Sequence, residues 1–83
     1  MNQVITADAE LDCVGYFCPM PLAMTKEELA KIEIGQILKV EADDPAAEED
    51  IKRLVKRTGH ELIQFEKEGT VLIFYIKKNE LRK

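Results

Sequence analysis

The hydrophobic period of this chain switches back and forth between two and about 3.6, and every switch falls beside a glycine or a proline. Ala9, Leu11 and Cys13 alternate with Asp8, Glu10 and Asp12, so Val4 to Cys13 reads as a strand packed on one face. Pro19 and Pro21 then mark a helix start, because proline is tolerated where a backbone N–H has no intrahelical partner. Leu22, Leu29 and Ile32, with Thr25 between them, keep helical spacing until about Glu33, and Gly35 ends the run. Gln36 to Ala42 alternates again, with Leu38, Val40 and Ala42 against Lys39 and Glu41. Asp44 is placed to cap a second helix with Pro45 at its first position, and Ala47, Ile51, Leu54, Val55 and Thr58 form its inward stripe until Gly59. His60 to Glu66 and Thr70 to Lys77 read as two strands joined at Gly69, and Lys78 to Lys83 as a charged, frayed tail.

This order predicts an α/β two-layer sandwich, βαβαββ, with a four-stranded mixed sheet and two helices on one face. The first two strands are parallel through a right-handed crossover, and the final hairpin places strand four beside strand two, with strands one and three at the edges. Two layers leave the other sheet face open, where Ile37, Val71, Ile73 and Tyr75 share one parity. That face predicts weak self-association or partner docking, hence a monomer or weak homodimer. Eighty-three residues make one domain, 1–83, whose core leaves little room for a deep cavity and favours chemistry at the surface.

A net charge of −4 and a pI near 5.0 argue against direct nucleic-acid binding, which needs a basic face to release counterions. No apolar run reaches the roughly 18 residues of a membrane span and no secretory leader is recognisable, so a cytoplasmic protein without membrane attachment is expected. In that reducing compartment two cysteines suggest a nucleophile, a redox pair or a metal site rather than a structural disulfide. Cys13, Cys18 and His60 make a poor metal set, since the two cysteines lack a second paired motif and a fourth ligand. No metal and no cofactor is expected.

Cys18 precedes the prolines at a helix start, where unpaired N–H groups and the positive end of the helix dipole favour a thiolate. No histidine, carboxylate or hydroxyl beside it forms a recognisable relay, as acyl transfer would require. Cys13 shares parity with Ala9 and Leu11 and reads as a core residue, with a resolving thiol as the alternative. Asp43 and Asp44 are explained by a turn and a cap, and His60 by turn hydrogen bonding. Tyr16, Phe17 and Met20 are either loop packing or an apolar collar that a partner recognises.

The run Leu11-Asp12-Cys13-Val14-Gly15-Tyr16-Phe17-Cys18-Pro19-Met20-Pro21-Leu22, followed by Thr25-Lys26, resembles the signature of the TusA/SirA-like sulfurtransferases, whose core is Cys-Pro-x-Pro. The similarity continues through Gly35, Asp43-Asp44-Pro45-Ala46, Asp50-Ile51 and Gly59-His60-Glu61-Leu62. The resemblance implies a sulfur carrier that accepts sulfane sulfur as a persulfide on Cys18, with Asp12, Gly15, Pro19 and Pro21 supporting the motif. It implies a protein donor, a cysteine desulfurase or rhodanese-like protein, and a protein acceptor, DsrE-like or leading to tRNA thiolation. Phe17 and Met20 stand where the tRNA-thiolating members usually carry a basic and an acidic residue. Two other readings remain open: a dithiol redox protein using Cys13 and Cys18, and a non-catalytic regulatory or RNA-binding module.

Overall fold

The computed structural model describes residues 6–17 and 20–80. Strand β1 (Ala9–Asp12) leads to helix α1 (Met20–Lys31), strand β2 (Ile37–Ala42), helix α2 (Ala46–Thr58), and strands β3 (Glu61–Glu68) and β4 (Val71–Lys77). The sheet order is β1-β2-β4-β3, with β1 and β2 parallel and the other pairs antiparallel, as the sequence predicts. The first strand is shorter than expected. Val4 lies outside the described residues, but the ladder extends past both ends of β1, through Asp8 N–H to Ile37 O at 2.8 Å and Cys13 N–H to Glu41 O at 2.7 Å.

One apolar cluster fills the space between helices and sheet. Leu38, Val40 and Ala42 from β2 and Leu72, Phe74 and Ile76 from β4 meet Leu29 of α1 and Ala47, Ile51, Leu54 and Val55 of α2. Strict alternation in both central strands sends every second side chain to this layer. The inward face of α1 is Pro21, Thr25 and Leu29, spaced by four, with Leu22 and Ile32 at its margins. Thr25 is fully buried because its hydroxyl donates to Pro21 O at 2.7 Å, which removes the desolvation cost of a bare oxygen.

The start of α2 has the expected cap. Pro45 is already in helical geometry, while Asp44 bonds Ala46 N–H through its carboxylate at 3.1 Å and Ala47 N–H through its carbonyl at 2.9 Å. The helix stops at Gly59, which takes φ 89° and donates its N–H to Val55 O.

Strand β3 contains a bulge between Leu62 and Gln64 that the sequence reading did not anticipate. Leu62 pairs with Ile76 and Phe65 with Phe74, so two residues three apart both face the helices, which a regular strand forbids. The extra residue restores the parity, and Phe65 packs on Phe74 with ring centroids 5.0 Å apart.

The open sheet face is not the bare apolar surface expected. Ile73 is only 5% exposed, and Ile37, Val71 and Tyr75 are half-buried. Register places Ile73 between Glu41 and Glu66, and Tyr75 between Lys39 and Gln64. The Lys39 ammonium lies 6.0 Å from the Tyr75 ring, and Gln64 bonds Glu66. Long polar side chains thus lay their stems over the apolar ones.

His60 sits just before β3, buried, with Nδ1 accepting the Asn79 N–H at 3.1 Å while the Asn79 side chain donates to Gly59 O. Burial, and then the nearby Lys78 charge, hold its pKa below the ordinary value. Folded His60 therefore stays neutral in a window below about pH 6.5 where the unfolded chain binds a proton, so stability falls as pH drops through that window. The slope it contributes is at most about 1.4 kcal/mol per pH unit. Urea midpoints measured at about pH 7.5 and about pH 5.5 should fall for wild type and change less for His60→Gln. Equal drops in the two proteins would remove His60 as the cause.

Candidate functional site: the loop between the first strand and the first helix

Parallel pairing of β1 and β2 brings the loops after both strands to the same edge of the sheet. Cys13 closes a turn by accepting Tyr16 N–H at 3.1 Å, and Asp12 accepts Val14 N–H at 2.9 Å. Asp43, one residue beyond β2, reaches across and accepts Gly15 N–H at 2.9 Å. Gly15 has φ 91°, a left-handed backbone that a side chain would strain. Asp12 and Gly15 thus have geometric roles in holding the loop.

Asp43 does more than the turn role the sequence suggested. Its signal was topological: a polar residue at the end of one parallel strand faces the loop of its neighbour, whatever its separation in sequence. Two carboxylates from adjacent strands therefore latch consecutive backbone N–H groups of one loop.

Cys18 and Pro19 lie outside the described residues. The residues on either side of them are joined directly, Met20 N–H donating to Phe17 O at 2.8 Å. Pro21 is buried in the first turn of α1, which carries no acidic residue, so its positive end is not neutralised locally. Val14, Tyr16, Phe17 and Met20 are 43%, 45%, 76% and 46% exposed. Among the described residues, only Ile34 joins them as a large exposed hydrophobe, so the exposed apolar side chains concentrate in the sequence segments just before and after positions 18–19.

Cys13 is fully buried in the core cluster. Burial, reinforced by the negative charge of Asp12, pushes its thiol up to about 11. The Cys13 thiol is therefore held protonated at pH 7, which disfavours it as nucleophile or resolving thiol. Iodoacetamide at neutral pH should accordingly label Cys18 at least about tenfold faster than Cys13, read by peptide mapping. Comparable rates in folded protein would contradict that assignment. Among the described residues no cluster of three His, Cys, Asp or Glu side chains could hold a metal ion. None of the described helices is long and apolar enough to cross a membrane.

Comparison with known proteins agrees with this architecture. A candidate sulfur carrier protein of Archaeoglobus fulgidus is 46% identical over 69 residues, covering 82% of this chain and 90% of the relative. Sulfur carrier protein TusA of Allochromatium vinosum is 40% identical over 72 residues, covering 87% and 95%. The crystal structure of a SirA-like protein from Desulfitobacterium hafniense superposes with a TM-score of 0.75 at 24% identity, covering 87% of this chain and 99% of that one. Residues 9–78 match the family described as Sulfurtransferase TusA, and the chain belongs to that family.

Proposed function

We propose that this protein carries sulfane sulfur as a persulfide on Cys18, receiving it from one protein and delivering it to another. The observation that carries the reading is the gathering of exposed apolar side chains on both flanks of Cys18, while the other cysteine is buried and protonated. A thiol that must meet a second protein's sulfur needs access and a docking collar, and it needs no relay.

In the transfer, the Cys18 thiolate attacks the outer sulfur of a donor persulfide. A sulfur–sulfur bond forms to Cys18, the donor's sulfur–sulfur bond breaks, and the donor leaves as a thiolate. The reverse sequence on an acceptor thiol returns Cys18 to its starting state, so no external oxidant enters. The unneutralised start of α1 favours the anionic forms of both thiol and persulfide. Val14, Tyr16, Phe17 and Met20 supply the contact surface, and Asp12 and Asp43 hold the loop that presents it. The donor class that fits is a cysteine desulfurase or rhodanese-like protein; the acceptor class is a thiol protein of a tRNA-thiolation or sulfur-trafficking route. The experiment is intact-protein mass after incubation with a cysteine desulfurase and cysteine: one added sulfur, removed by reductant and mapped to Cys18, is the expected result.

A further inference from the structure

Along the seam between α1 and α2 runs a groove of about 260 Å³, walled by Lys26 on one helix and Arg53 and Arg57 on the other. A second hollow of about 200 Å³ shares Lys26, Leu54 and Thr58 with it and carries the seam on towards His60. Leu22, Leu29 and Leu54 line the bottom of this continuous trough. Its rim carries three cations against one carboxylate, Asp50, in a protein whose net charge is −4. Lys26 and Arg57 are exposed and have no carboxylate within ion-pair distance among the described residues, and Arg53 stands 3.9 Å from Asp50, a long pair. Two other helix cations, Lys31 and Lys52, are paired to Glu28 and Glu48 at 3.0 and 2.8 Å, while Lys56 lies outside the trough.

We infer that the seam docks an acidic, amphipathic segment of a partner protein, its carboxylates meeting Lys26 and Arg57 and its apolar side chains lying on the leucines. The inference rests on the carrier reading only for the existence of protein partners. Unpaired cations on both walls of one apolar-floored trough are complementary to alternating acidic and apolar groups. A phosphate backbone would gain nothing from the leucine floor, and a net charge of −4 works against its approach. Thr58 has no proton to offer those carboxylates, because its hydroxyl already donates to Leu54 O at 2.8 Å.

The test is fluorescence anisotropy with the full chain and a short labelled peptide bearing glutamates and leucines at helical spacing. Binding should weaken about tenfold or more in the double variant Lys26→Glu with Arg57→Glu, and should fall as salt rises. The neutral pair Lys26→Gln with Arg57→Gln should lie between, and circular dichroism checks that each variant is folded. A matched peptide with lysines in place of glutamates, and a short single-stranded RNA, should not bind. Absence of binding by the acidic peptide, indifference to charge reversal in folded protein, or tighter binding of the RNA would each overturn the proposal. Loading of wild-type protein by glutathione persulfide reports on the carrier reading separately, since that small donor has no segment to dock.

Discussion

Cys18→Ser is expected to abolish sulfur gain altogether, while Cys13→Ser, wherever it remains folded, should load one sulfur as wild type does. A serine hydroxyl stays protonated at neutral pH and is neither the nucleophile nor the leaving group that persulfide transfer needs. Cys13 lies in the core cluster with its thiol held protonated by burial, so replacing it costs packing and leaves a buried hydroxyl to be satisfied. Stability and chemistry should therefore separate between the two variants. The readout is intact mass before and after reductant, taken beside a thermal melt. Sulfur gained by Cys18→Ser, or lost by folded Cys13→Ser, would replace the single-thiol carrier with a dithiol mechanism.

Phe74→Ala should be the most damaging single substitution to the fold. Phe74 is fully buried at the centre of β4, opposite Val40 on one side and Phe65 on the other. Truncating a buried phenylalanine costs about 3–5 kcal/mol, a large part of the roughly 4–12 kcal/mol a domain of this length holds. The melting temperature should drop by roughly 15–30 °C if the variant folds at all. Phe17→Ala makes the same chemical change at a side chain 76% exposed, and should move stability by no more than about 0.5 kcal/mol. Its effect should fall on transfer from a protein donor. Similar melting shifts for the two phenylalanines would show that burial is not what distinguishes them.

Much of this architecture was legible because its signals are local. Leu38-Val40-Ala42 and Leu72-Phe74-Ile76 alternate strictly, and both helices end near a glycine, so element order and sheet order follow from period and handedness. What was not legible depends on distant neighbours. The bulge in β3 exists because Leu62 and Phe65 must both face inward, which is known only once β4 lies beside them. The latch from Asp43 to Gly15 joins residues 28 apart in sequence. The open sheet face misled because parity identifies which side chains share it and is silent on how far Lys39, Glu41 and Glu66 fold over their neighbours.

The bulge has a bearing on how such a protein survives in a crowded solution. A sheet with two free edges and a sticky patch is a template for stacking with copies of itself. Here β3 is interrupted at Leu62/Gln64 and ends in Glu66, Lys67 and Glu68, while β1 spans four of the described residues. A kinked, charged rim and a stub rim both resist the long flat pairing that seeds aggregates. The molecule can therefore display Phe17 and its neighbours openly, engaging each partner in turn, without that display recruiting another copy along the strand direction.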